Sequence, residues 1–155
     1  MVTTAIAVLG TLLGAVVAGV FQQRSASRGA AAAATEQVRR ERLEAVTALA
    51  AAGSDHRRAM WMRGEAQLAR ASDERLAELR AASHVTRSAI TRPLVAVQVL
   101  IPDAAVRTAA KSMVVAAYCM QDRSHSVEAL TAAREAARSA HDRFVDAAAA
   151  YLTPS

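Results

Sequence analysis

Residues 94–101 read LVAVQVLI, and the way this stretch is read decides the fold class of the chain. It is β-branched enough to pass for a short strand. No other segment shows repeated β-branched alternation between turn signals, however, and a lone strand has no partner for its backbone groups. The same residues close a helical pattern, since Leu76, Leu79, Ser83, Ile90, Leu94, Val97 and Ile101 mostly fall three or four positions apart. The stretch is therefore helical and the fold all-α, with a kink or break expected near Thr91 because Pro93 cannot donate a helical hydrogen bond.

Downstream, Ile101-Pro102-Asp103 is a turn leading into a helix start. Pro102 is expected near the first helical position, and Asp103 is favourable at the positive end of the helix dipole. The helix that follows carries Val106, Ala110, Met113, Ala117 and Met120 on one stripe. Residues 121–126 (QDRSHS) form a polar connector in which Ser124 or Ser126 can cap the last helix. That helix places Val127, Leu130, Arg134, Ala137, His141, Phe144, Ala148 and Tyr151 on a near-heptad stripe ending before Pro154. Upstream, Val38, Leu43, Val46, Leu49 and Met60 predict a helix over about residues 30–63, with Gly29, Gly53 and Gly64 as its weak points. Short turns between successive helices imply an antiparallel hairpin or bundle of three to four helices with coiled-coil-like stripes.

Composition agrees. The 155 residues include only two Phe, two Tyr and one Trp against 53% hydrophobic residues, so alanine must do much of the packing, and helices must approach closely. The first charged side chain is Arg24. Residues 2–21 (VTTAIAVLGTLLGAVVAGVF) contain no ionisable group and as a helix would measure roughly 30 Å, the hydrocarbon thickness of a bilayer. A soluble helix would show a polar face, and a signal peptide would show a basic start and a shorter apolar run. A retained N-terminal transmembrane helix is the expectation.

Three regions follow: residues 1–23 as the anchor, 24–34 as a juxtamembrane basic segment and 35–153 as a helical domain. Arg24, Arg28, Arg39, Arg40 and Arg42 all lie after the span, which by the positive-inside rule places the N-terminus outside the cell membrane and the domain in the cytoplasm. Arg24 and Arg28 would meet anionic headgroups. Gly10 and Gly14, with Ala18 one turn on, form a small-residue face suited to self-association in the membrane, so a homo-oligomer is an expected partner state.

Motifs of catalysis are missing from the sequence. There is no phosphate-cradling GxxxxGK[ST], no GxGxxG, no HExxH and no CxxC. Of the histidines, only His125 has carboxylates at helical spacing, Asp122 and Glu128, and they share a face only if a helix runs through the connector. All four histidines are read as surface or partly buried, and Cys119, among Val114, Val115, Ala116 and Ala117, as a small core residue. No enzyme, metal or cofactor is expected. The net charge of +5 comes almost entirely from arginine, with Lys111 the single lysine. Glu36 and Arg40, Arg70 and Glu74, and Glu135 and Arg138 are spaced for pairs one turn apart. Arg39, Arg40 and Arg42, and Arg57 and Arg58 beside His56, are dense enough to touch nucleic-acid phosphate without sequence preference, although no aromatic platform accompanies them.

The glycine-punctuated N-terminus running into FQQRSASR, the basic-acidic segment RRERLEAVTALAAAGSDHRRAMW, the IPD helix start and the alanine-rich terminal helix together resemble the KilB-type proteins of actinobacterial conjugative plasmids. The resemblance implies a membrane-associated protein that assists plasmid transfer or intramycelial spread, with plasmid-transfer proteins as partners. The competing expectations are a membrane-perturbing, toxin-like protein and a membrane-tethered non-specific DNA-binding protein.

Overall fold

A computed structural model describes the backbone of residues 2–123 and 125–153 and the side chains of residues 29–122 and 125–153. Its described elements are helices: α1 (Val2–Leu68), α2 (Asp73–Leu100), α3 (Ala104–Cys119) and α4 (Val127–Leu152), with a short 3-10 turn at Met120–Arg123 before α4. The chain divides into two compact units, Met1–Arg40 and Glu41–Ser155. In the first, the described side chains from residue 29 to residue 40 are all exposed, and Glu36 lies beside both Arg39 and Arg40 at 3.9 and 3.2 Å. Among the described residues no helix is long and apolar enough to cross a membrane. The expected span and its Gly10, Gly14 and Ala18 face, with Arg24 and Arg28, lie outside the residues whose side chains are described.

The second unit is a four-helix bundle built from the last part of α1 with α2, α3 and α4. Arg42, His56 and Arg63 of α1 reach Leu100, Thr86 and Ser83 of α2, so these two helices run antiparallel. Ser54 and Trp61 meet His141 and Arg134 of α4, which also opposes α1. Gln98 and Arg87 of α2 contact Arg107 and Tyr118 of α3 in descending register, completing an up-down-up-down order. Such an order follows from short connections that leave each helix no option but to fold back on its predecessor.

The starts of α2, α3 and α4 are capped by the residue type that accepts a backbone hydrogen bond. Ser72 accepts from Arg75, Asp103 from Val106 and Ser126 from Ala129, each satisfying an otherwise orphaned N–H. Asp103 is thus the N-cap itself, and Pro102 sits before the helix instead of at its first position. Pro93 neither ends nor interrupts α2, which continues through it to Leu100, so 94–101 is helical up to its capping residue Ile101. At the end of α1 the Ala71 N–H bonds the Ala66 carbonyl and the Arg70 N–H bonds the Gln67 carbonyl, a Schellman closure that requires Arg70 at φ 51°. The turn breaks the helix between Arg70 and Glu74, and no pair between them forms among the described residues.

The core is filled by both large and small side chains. One cluster brings Leu49 of α1 against Ile90 and Val97 of α2, Met113 of α3 and Phe144 of α4; a second joins Met60, Met120, Leu130 and Ala137. Every residue of the expected α3 stripe is buried. The α1 stripe is corrected at its start: Val38 and Leu43 are exposed, while Ala45, Val46 and Leu49 point inward. Gly53 and Gly64 do not weaken α1 into a stop. They are buried under side chains of α3 and α4, where Met113 and Leu130 occupy the space a Cβ would need. Close helix approach at these two points is the physical reason for glycine there.

Candidate functional site

The most concentrated polar chemistry of the bundle lies between α1, α2 and α3 around His56. Its helical neighbours Gly53 and Met60 carry the same face of α1 into the core, so His56 follows them and is 2% exposed, correcting the surface reading. The Thr86 hydroxyl donates to the Ser83 carbonyl one turn earlier at 3.1 Å, which leaves its oxygen to accept from the His56 Nδ1 3.0 Å away. Tyr118 of α3 meets the imidazole edge to face, with centroids 5.3 Å apart, and its ring carries the Arg87 guanidinium at 4.2 Å. Burial, and next the Arg87 charge, push the imidazole down from 6.5 to about 4 against the opposing hydrogen bond to the Ser83 backbone. His56 is therefore neutral at physiological pH. A neutral imidazole that is fully enclosed acts as a fixed polar peg between helices.

Below it, the Ser83 hydroxyl is also buried. It donates to the Arg80 carbonyl at 2.7 Å and accepts from Arg63 of α1 at 3.4 Å. No buried side-chain nitrogen or oxygen among the described residues lacks a partner. A satisfied polar layer fixes the register of packed helices, because sliding by one turn would leave its members unpaired in a low dielectric.

Arginine serves the aromatic residues in the same way. Arg42 lies over Tyr151, Arg87 over Tyr118 and Arg134 over Trp61, at 5.6, 4.2 and 4.4 Å. Each pair joins two different helices, which is why no local spacing in the sequence announces it. Cation–π contacts of this kind contribute about 0.5–1 kcal/mol at exposed sites.

The arginines expected to contact phosphate each have their own surroundings. Arg39 and Arg40 share Glu36, Arg42 donates to the Leu100 carbonyl at 2.9 Å, Arg57 is half-buried and Arg58 is exposed. Asp122 lies in the 3-10 turn, and Glu128 follows the Ser126 cap, so His125 has no continuous helix on which to share a face with them. Among the described residues no three potential metal-ligating side chains assemble. Cys119 is exposed and not a core residue: like Val115 it falls off the buried stripe of α3. The Glu135 and Arg138 pair forms at 3.9 Å on the surface.

These features define a small helical-bundle protein whose polar centre braces one helix against two others. The comparison with known proteins then identifies it. The family model described as KilB plasmid transfer protein matches residues 43–152, nearly the whole bundle. Protein KilB of Streptomyces lividans is 46% identical over 150 residues, which cover 96% of this chain and 97% of that one. The chain belongs to the KilB plasmid transfer protein family. No solved structure matches it.

Proposed function

We propose that this chain is a membrane-anchored helical interaction protein that assists plasmid transfer or intramycelial spread. The observation that carries the reading is the near full-length similarity to Protein KilB, which extends beyond the bundle toward the N-terminus. The uncharged residues 2–21, followed by Arg24 and Arg28, support insertion with the N-terminus outside and the bundle in the cytoplasm. The bundle supports a binding role, because its buried polar groups are committed to one another and its exposed surface retains large apolar side chains.

The reading is tested with the full chain and a version lacking residues 1–23, each supplied to a plasmid whose own copy is deleted. The full chain should stay in membranes washed with alkaline carbonate and restore transfer, whereas the shortened chain should be soluble and inactive. Release of the full chain by carbonate, or transfer supported by the shortened one, would overturn the proposal. Dye leakage on induction would favour the toxin-like reading over an interaction role.

A further inference from the structure

The outer face of the α1–α2 pair is apolar where water is expected. Beyond Glu78, α2 carries no acidic residue, and its outward Val95 and Val99 are 55% and 75% exposed. Both lie on the same side of α2 as Arg92 and Ala96, at helical spacing. Beside them runs an open groove of about 470 Å³ floored by alanines of both helices, with Glu41 and Glu44 of α1 on one wall and Arg92 of α2 on the other. Among the described residues the Glu44 carboxylate and the Arg92 guanidinium form no ion pair, with each other or with any other group.

We infer that this face docks a second copy of the chain, with two α1–α2 faces packed about a two-fold axis. The argument is one of charge. An isologous contact opposes a surface to its own rotated image. With the two-fold axis running along the groove, acid on one wall and base on the other meet their image with Arg92 facing Glu44 twice. A partner of single sign would leave one wall facing like charge, which disfavours it. The valines of each copy then cover the alanine floor of the other, giving the apolar, charge-depleted centre usual in interfaces. The contact belongs to the bundle and stands independently of membrane anchoring.

The full chain in detergent, with Cys119→Ala as background, tests this. Val95→Cys and Val99→Cys lie one turn apart, and oxidation should convert at least one of them into a covalent dimer, while Val127→Cys on α4 stays monomeric. Glu44→Arg and Arg92→Glu should each weaken association at least about tenfold, and the two together should restore it. A monomeric parent chain would overturn the inference and leave the face to a different protein. So would a dimer in which neither cysteine cross-links and neither reversal matters, which would assign association to Gly10 and Gly14.

Discussion

Gly64 of α1 lies directly beneath Leu130 of α4, so closely that a methyl group at position 64 would stand 2.8 Å from both terminal carbons of the leucine. Leu130 is buried and cannot turn one methyl away without driving the other inward. Gly64→Ala should therefore lower stability by up to about 2 kcal/mol even though alanine gains about 1 kcal/mol in helix propensity, since overpacking costs about 1–3. At Gly53 the obstructing atoms are the Met113 Cε and Sδ at 3.1 and 3.3 Å, on a side chain that can swing aside. Gly53→Ala should be neutral or stabilising by up to about 1 kcal/mol. Denaturant midpoints of the two variants check the contrast, and equal losses would refute it.

The His56 layer makes the bundle acid-sensitive in a defined window. Its folded imidazole is held at about 4, whereas the unfolded one binds a proton below about 6.5. Between those values the unfolded chain carries more protons, so stability falls as pH drops from 6.5 and levels off near 4, by about 3 kcal/mol in all. His56→Leu removes this contribution. The difference in unfolding free energy between parent and variant should move against the parent by that amount from pH 7 to pH 4, and a pH-independent difference would contradict the assignment.

Arg70 pays a conformational penalty at φ 51°, where glycine has none. Its N–H, which closes the turn, is retained in any residue except proline. Arg70→Gly should raise stability by about 0.5–1 kcal/mol, read as a higher melting temperature with unchanged helix content.

Arg42 joins three helices by donating to the Leu100 carbonyl of α2 and lying over Tyr151 of α4. The carbonyl is one of the last in α2 and has no partner within its own helix. Arg42→Ala should cost about 2 kcal/mol. Arg42→Lys should recover less than half of that, because an ammonium lacks the planar Nε–H fork. A thermal-unfolding series including Tyr151→Leu separates the stacking from the hydrogen bond.

The helices were legible wherever a stripe was regular. All five positions from Val106 to Met120 are buried, as are Leu130, Ala137, Phe144 and Ala148 of α4. Legibility failed where apolar residues wrap around a helix instead of lining one side. Cys119 and Val115 share their neighbours' composition but not their face, and Leu43 lies six residues before the buried Leu49, about 120° round the helix from it. The polar layer was illegible for another reason. His56 finds Thr86 and Tyr118 on other helices, and only the assembled bundle brings them within reach.

The exposed thiol of Cys119 has a practical consequence, because it is the chain's single cysteine. A maleimide dye can reach it without any engineered substitution, so the unaltered chain accepts one fluorophore per copy. Stepwise bleaching of such labelled particles would count the copies in each one.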